Sequence, residues 1–174
     1  MLTKIAVVGT TCAGKTTIAK RLAEIHGVPH VELDALHWGP DWSEATADVF
    51  RARVEQALAV DGWVVDGNYT GKLGDLVLER ADLVVWLDPS LPTVLRRLGT
   101  RTLRRVRTGE ELWGGNRETW RGAFFSRDSL FLWALKTHRT RRARYEKRLA
   151  KYDVVRLGSP SDTEAWLARS GRLT

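Results

Sequence analysis

The chain has 174 residues, a length typical of one compact domain, and its 43% hydrophobic and 28% charged residues are ordinary for a globular protein. No apolar run approaches the roughly 18 residues of a membrane span. A single cysteine, Cys12, excludes a disulfide scaffold and a cysteine-built zinc site, since each needs several thiols.

The net charge of +7 is concentrated in two stretches of the chain. Residues 96–107 carry six arginines and no acid, and residues 136–151 carry eight lysines and arginines against one acid, whereas the rest holds 14 basic and 20 acidic residues. Such local stripes suit a polyphosphate in a cleft or an anionic surface. For the second stripe, a solvated helix face is an equally good interpretation.

Apolar stretches of strand length alternate with helix-like segments. The predicted strands are 5–8, 30–33, 63–65, 83–87 and 154–157, and the predicted helices are 15–26, 44–60, about 71–80, 90–107, 127–150 and 161–170. This alternation predicts an α/β fold with a five-stranded parallel sheet sandwiched by helices. The first and fourth strands are apolar at nearly every position, as central strands are. Ser161 and Glu164 form a capping-box pattern at the start of the last helix.

The strongest motif follows the first predicted strand and opens the first predicted helix. It satisfies G-x-x-x-x-G-K-[ST] with the residues Gly9, Thr10, Thr11, Cys12, Ala13, Gly14, Lys15 and Thr16. Its glycines let backbone N–H groups point at phosphate oxygens, and the helix N-terminus adds its positive dipole end. Lys15 is placed to reach the β and γ phosphates of ATP, and the Thr16 hydroxyl to ligate Mg²⁺. A P-loop needs no thiol, so Cys12 is interpreted as filler.

Asp34 follows the second predicted strand, and ligands of open α/β sheets bind at such strand ends. A carboxylate here could accept a proton from an acceptor hydroxyl, although a helix cap or loop aspartate is the simpler alternative. Glu32 lies two residues before Asp34, so the alternation of side chains along a strand places both on the same face. Trp38 and Trp42 could stack on an acceptor or serve as ordinary core.

Two aspartates compete for the role of the metal-orienting Walker B carboxylate. Asp66 ends the third predicted strand, and Asp88 follows the fourth. We favour Asp66, because Gly67-Asn68-Tyr69 adds polar groups beside it, whereas Asp88-Pro89-Ser90 is typical of a helix start.

A segment rich in Gly, Asn and charge, residues 108–122, connects two long helices and is predicted to be a mobile lid. Arg117 and Arg121 on this lid would reach the charge that develops on the transferred phosphoryl group, and closure would exclude water. A solvated arginine-rich helix followed by a disordered loop is the alternative.

With these residues in place, the chain resembles the small P-loop kinases of the adenylate kinase and shikimate kinase group. It most closely resembles the adenylate-kinase-related proteins known as DNA topology modulation proteins. The likeness rests on the P-loop, V-E-L-D-A-L-H-W, W-V-V-D-G-N-Y, the arginine helix and G-G-N-R-E-T-W-R. It implies one P-loop kinase domain over residues 1–174, with an acceptor-side helical segment at about 35–60.

The resemblance also implies residue roles. Gly9 to Thr17 would bind the ATP phosphates, Asp34 would face the acceptor, and Asp66-Gly67 matches the Asp-Gly of adenylate kinases. Asn68-Tyr69 stands where those kinases have Phe-Pro-Arg, so the arginine that grips a nucleoside monophosphate is missing, and Lys72 could replace it. The residues expected at the adenine are Gly158, Ser159 and Pro160, with Arg101 or Arg105 across the base.

The sequence therefore predicts an ATP- and Mg²⁺-dependent phosphotransferase whose acceptor is a small molecule or a nucleotide. The alternative is a nucleotide-binding regulatory protein that binds DNA through its basic helices. No helix-turn-helix or other nucleic-acid module is readable, so nucleic acid is an unlikely partner. The chain begins Met1-Leu2-Thr3-Lys4 and runs straight into an apolar strand, so we expect no signal peptide, a cytoplasmic protein, no membrane partner, and a monomer or homodimer.

Overall fold

A computed structural model describes residues 3–117 and 130–170. The strands are β1 Lys4–Gly9, β2 His30–Glu32, β3 Trp63–Asp66, β4 Leu83–Leu87 and β5 Val154–Leu157. The helices are α1 Lys15–His26, α2 Leu33–His37, α3 Ala47–Ala57, α4 Thr70–Leu73, α5 Leu76–Arg80, α6 Leu91–Thr108, α7 Leu130–Leu149 and α8 Pro160–Ser170. Two short 3-10 turns, Pro40–Trp42 and Trp113–Gly115, complete the elements of the described chain.

The five strands form one parallel sheet in the order β2-β3-β1-β4-β5. The predicted α/β fold is therefore confirmed. Strand β1 lies between β3 and β4, with Val7 opposite Asp66 and Gly9 opposite Leu87. All five strands end at the same edge, so this register brings the residues that follow β1, β2 and β3 together.

Both faces of the sheet are covered, which explains why β1 and β4 are apolar at successive positions. Residues 5–9 of β1 and all five residues of β4 are buried. On one face, Ile5 and Val7 pack with Leu22 of α1 and Leu167 of α8. On the other face, Ala6, Val8 and Trp86 pack with Leu149 of α7 and Leu78 of α5, and α3 covers β2 and β3.

Two predicted helices differ from the structure. The predicted helix at 71–80 is two short helices, α4 and α5, because Gly74 between them has φ 61°, a left-handed conformation that interrupts a helix. The predicted acceptor-side segment at 35–60 holds the end of α2, a 3-10 turn and α3. Helix α3 begins later than predicted, at Ala47, where the Thr46 side chain accepts a hydrogen bond from Val49 N at 3.4 Å.

The predicted capping box of the last helix is wrong by two residues. Helix α8 begins at Pro160, and the Ser159 hydroxyl accepts the hydrogen bond of Asp162 N at 3.1 Å. Glu164, the expected second member of the box, instead pairs with Arg21 of α1 at 2.5 Å. Proline is favoured in the first turn of a helix, which fits the earlier start.

The segment Asp88-Pro89-Ser90 leads into helix α6, as its sequence predicted, and Asp88 is also the centre of a charge cluster. Its side chain is 8% exposed, and its Oδ2 atom accepts from Arg142 Nε at 2.7 Å and from Arg156 Nη2 at 2.5 Å. Arg156 also stacks over the Trp86 ring and pairs with Glu146 at 3.0 Å. These bonds join β4, β5 and α7, so Asp88 has a structural role.

No described helix combines the length and the apolar character that a membrane crossing requires.

Replacing Asp88 by Ala should lower the free energy of unfolding by about 2–4 kcal/mol, since it leaves two arginines without their shared buried acceptor. Urea denaturation followed by circular dichroism measures this change. Glu146→Gln is the matched control, because it removes an exposed partner of Arg156 and should cost less than about 1 kcal/mol. Equal losses in both variants would contradict a central role for Asp88.

Candidate active site

The P-loop leaves the end of β1 and enters α1 with a sharply turned backbone. Gly9 has φ 151° and Gly14 has φ 101°, and a Cβ on Gly9 would collide with the carbonyl oxygen of Leu87 on β4. Cys12 also adopts a positive φ of 56°. The loop therefore has the curled backbone that lets successive amides face one anion.

Lys15 opens α1 and folds back over its own loop, where Nζ donates to Thr10 O at 3.1 Å. Burial lowers the pKa of Lys15, and attraction to Asp34 and Asp66 acts in the opposite direction. The ammonium group of Lys15 has thus lost part of its hydration. A bound phosphate would stabilise its positive charge.

Asp66 lies at the end of β3, with Cα partners Val7 and Glu32 on the neighbouring strands. It is 2% exposed, and its Oδ2 atom accepts no hydrogen bond within the described residues, although His30 Nε2 lies 3.4 Å away. A buried oxygen without a donor suits a cation or its bound water. The Asp66 carboxylate, with a hydroxyl such as that of Thr16 in the first turn of α1, offers the oxygen ligands that Mg²⁺ prefers.

Asp34 lies in α2, directly after β2, and its carboxylate accepts a short hydrogen bond from the Tyr69 hydroxyl. The sequence had pointed to polar groups beside Asp66 but had given Tyr69 no role. Asn68, next to it, bonds to Gly9 in both directions: its side chain accepts from Gly9 N at 3.4 Å and donates to Gly9 O. The β3–α4 connection is thereby tied to both the P-loop and Asp34.

Glu32 joins this group of carboxylates. Burial raises the pKa of Glu32, as do Asp66 and Asp34 nearby, while the Trp113 side chain beside it acts in the opposite direction. Trp113 lies in the predicted lid segment. The part of that segment which the structure describes therefore reaches the carboxyl end of β2.

The lid segment up to Arg117 rests against the turn that follows α2. Asn116 is 6% exposed and accepts from Trp42 N at 2.8 Å, and it donates to Gly39 O at 2.9 Å and to Trp113 O at 2.6 Å. A Cβ on Gly114 would lie 2.5 Å from the Gly39 carbonyl carbon. The two 3-10 turns are thus in close contact, an interaction that sequence patterns did not signal.

A cavity of about 340 Å³ lies beside the P-loop on the side of α8. Ser159 and Pro160, which we expect at the adenine, line it together with Arg97. Arg101 and Arg105, predicted to lie across the base, are near Cys12, where their charges lower the pKa of the thiol against the larger raising effect of burial. Arg97 donates to Ala13 O at 2.7 Å. Arg97 lies four residues before Arg101 on α6, on the same side of the helix, and this spacing could have identified it from the sequence.

Gly158, the third residue predicted for the adenine side, lines a neighbouring cavity of about 470 Å³ with Asp88 and His138.

Much of the second basic stripe, residues 136–151, is engaged within the fold. Arg142 pairs with Asp88, and Arg148 and Lys151 pair with Asp75. Arg141 approaches the P-loop, with Nη1 3.4 Å from Thr10 Oγ1, and burial lowers its pKa. The stripe is therefore neither a purely solvated face nor a wholly open basic surface.

Two of the remaining predicted residues, Arg117 and Lys72, form ion pairs with acidic residues. Arg117 is exposed and pairs with Glu111 at 2.6 Å. Arg121 lies outside the described residues, as does the rest of the lid segment from 118. Lys72 Nζ pairs with Glu44 at 2.7 Å and donates to Ala45 O at 3.1 Å.

Solved structures that are similar to this chain over nearly its whole length include kinases. Shikimate kinase from Acinetobacter baumannii in complex with shikimate is 18% identical, with a TM-score of 0.60 over 99% of this chain and 93% of that one. Shikimate kinase from Bacteroides thetaiotaomicron is 17% identical, with a TM-score of 0.59 over 97% and 96%. Gluconokinase from Sinorhizobium meliloti 1021 is 22% identical, with a TM-score of 0.53 over 99% and 95%.

These likenesses show that the chain has the P-loop kinase fold. No protein-family model and no curated protein matches its sequence.

Replacing Asn116 by Ala should separate the two 3-10 turns, because it removes three buried hydrogen bonds at once. Amide exchange at Trp42 should speed by at least about 10-fold, which corresponds to about 1.4 kcal/mol of local opening. Hydrogen–deuterium exchange measured by NMR reports it. Glu111→Gln is the control on the same segment, since it removes only an exposed ion pair; equal exchange in both variants would refute the role of Asn116.

Proposed function

We propose that this protein transfers the γ-phosphate of ATP, with Mg²⁺, to a hydroxyl or phosphate oxygen of a small acceptor. The observation that carries the proposal is the arrangement around Lys15. A P-loop between β1 and α1 holds this half-buried lysine within electrostatic reach of Asp34 and Asp66, two carboxylates on neighbouring segments. Phosphoryl transfer requires this combination of a phosphate-binding loop, a metal-orienting acid and an acceptor-side acid.

In this proposal, each residue has a separable task. Residues 9–17 hold the phosphates through backbone amides, and Lys15 neutralises charge on them. Thr16 and Asp66 hold Mg²⁺, which when bound neutralises charge on the phosphate oxygens. Arg97, Ser159 and Pro160 bind the nucleoside beside the P-loop, with Arg101 and Arg105 near Cys12 contributing positive charge.

Asp34 faces the acceptor and receives its proton. The transition state places charge on the transferred group, so cations that approach it accelerate the reaction. Arg141 already approaches Thr10, and Arg117 and Arg121 would join when the segment at 108–122 closes. The ion pair between Arg117 and Glu111 would first have to break.

The acceptor class is open between hydroxyl compounds and nucleotides. Lys72 is held by Glu44 and Ala45 O, which argues against its replacing the phosphate-binding arginine of adenylate kinases. Motifs such as W-V-V-D-G-N-Y still favour the adenylate-kinase-related group as the origin of this chain. A panel of polyols, sugars, amino sugars and nucleoside monophosphates, assayed for acceptor-dependent ADP release, tests the proposal.

Replacing Lys15 by Ala should abolish ADP release, because the lysine charge is directed at phosphate, while the circular dichroism spectrum stays that of the folded protein. Lys20→Ala is the matched control, since Lys20 lies on the exposed side of the same helix. Wild-type turnover in Lys15→Ala would refute the kinase assignment.

Replacing Asp34 by Asn should reduce kcat by about 10² to 10⁴ with nearly unchanged ATP affinity, the usual size of a general-base contribution. Steady-state kinetics with the acceptor, together with calorimetric titration of ATP, separates the two effects. A loss of ATP affinity without a loss of kcat would move Asp34 out of the acceptor site.

Asp66→Asn should show a different pattern, namely a raised Mg²⁺ concentration for half-maximal rate, because the buried oxygen assigned to the metal loses its charge. Titrating Mg²⁺ at saturating ATP measures this. An unchanged Mg²⁺ requirement would remove Asp66 from the metal site.

A further inference from the structure

The hydroxyl of Tyr69 donates a hydrogen bond to Asp34 Oδ1. An ionised carboxylate can only accept, so the direction of this bond is fixed. Tyr69 thereby holds one of the two carboxylate oxygens of Asp34.

This hydrogen bond is supported by packing. Trp38, which follows α2, donates its backbone N–H to Asp34 O at 3.0 Å and closes the turn that carries Asp34. The Tyr69 ring lies 4.5 Å from the His37 ring and 4.9 Å from the Phe50 ring, measured between centroids. The aromatic contacts restrict where the Tyr69 hydroxyl can point.

The hydrogen-bonded pair of Tyr69 and Asp34 is also connected to the P-loop. Asn68, the residue before Tyr69, bonds to both the N–H and the C=O of Gly9. Two consecutive residues of one loop thus fix the P-loop on one side and Asp34 on the other. A shift of either part would strain hydrogen bonds to the other.

We propose that Tyr69 is a positioning residue that holds Asp34 Oδ1 and leaves Oδ2 as the oxygen that meets the acceptor hydroxyl. The inference rests on the proposed function, in which Asp34 faces the acceptor. In that reaction the hydroxyl proton moves to Oδ2 as the acceptor oxygen bonds to the γ-phosphorus. The bond from that phosphorus to the β–γ bridging oxygen breaks, and ADP leaves with its electron pair.

The electrostatics of Tyr69 agree with this role. Burial, and next the hydrogen bond to Asp34, raise the pKa of the Tyr69 hydroxyl far above its ordinary value. The hydroxyl therefore keeps its proton at any physiological pH and stays a donor. A donor that never ionises holds one carboxylate oxygen without competing for the proton of the acceptor.

The test combines Tyr69→Phe, Asp34→Ala and the double variant, in an assay of ADP release from ATP and Mg²⁺ with water as the acceptor. Tyr69→Phe should lower kcat by about 10- to 100-fold with an unchanged KM for ATP, because it frees the carboxylate to rotate. In the Asp34→Ala background the same change should have no further effect, since there is no carboxylate left to position. Tyr152→Phe, which removes the hydroxyl of a tyrosine packed against the core cluster of Trp86 and Leu149, should match the wild type.

A second measurement covers the case in which Tyr69→Phe folds poorly. The Tyr69 hydroxyl proton, held by the Asp34 carboxylate, should give a downfield NMR resonance in the wild type and in Tyr152→Phe, and this resonance should disappear in Asp34→Ala. A spectrum that Asp34→Ala leaves unchanged would overturn the proposal.

The experiment distinguishes a failure of the positioning role of Tyr69 from a failure of the proposed function. Wild-type kcat in Tyr69→Phe while Asp34→Ala is slow would overturn the positioning role alone. An equal slowing by Tyr69→Phe in both backgrounds would assign Tyr69 to structure and overturn it too. Wild-type turnover in Asp34→Ala would remove Asp34 from the reaction, which overturns the proposed acceptor chemistry and this inference together.

Discussion

The turn at Gly9 is the constraint on which the rest of the site depends. Strand β1 is buried between β3 and β4, and at its end the backbone of residue 9 packs against the Leu87 carbonyl so closely that no side chain fits. That contact directs the chain out of the sheet and into α1, with Lys15 in its first turn. The same residue is the anchor for Asn68, so the position of Tyr69, and through it of Asp34, follows from how β1 ends. A single backbone turn thereby sets the spacing between the P-loop and Asp34.

The second organising feature is the distribution of charge around that turn. Three carboxylates, Glu32, Asp34 and Asp66, end up near one another and near Lys15, since parallel strands end at a common edge. Such a group is costly to bury unless each member has a partner or a bound cation. The Tyr69 hydroxyl donates to Asp34, whereas Asp66 Oδ2 accepts no hydrogen bond within the described residues. This difference supports the proposal that Asp66 holds the metal and Asp34 faces the acceptor.

The sequence predicted those parts of the protein that depend on local patterns. Strands β4 and β5 match their predicted ranges, and the P-loop follows β1 as its spacing required. The errors arose where a tertiary contact or a backbone angle decided the outcome: Gly74 divides one predicted helix, and Ser159 rather than Ser161 caps the last. Asn116 and Tyr69 act through partners 77 and 35 residues away, and no periodicity in the chain signals such pairs.

The basic stripes show how composition misleads when partners are unknown. A net charge of +7 suggests an anionic macromolecule, and residues 136–151 would be its natural docking face. In the fold, Arg142 forms an ion pair with Asp88 and Arg148 forms one with Asp75, and these pairs join α7 to the sheet and to α5. Arg97 and Arg141, one from each stripe, instead approach the P-loop at Ala13 and at Thr10. Some of these charges therefore tie helices together, and others converge on one loop. This distribution suits a site for a single polyphosphate better than a continuous track along a nucleic acid. The phosphates of a nucleic acid recur at regular intervals and require a row of free cations.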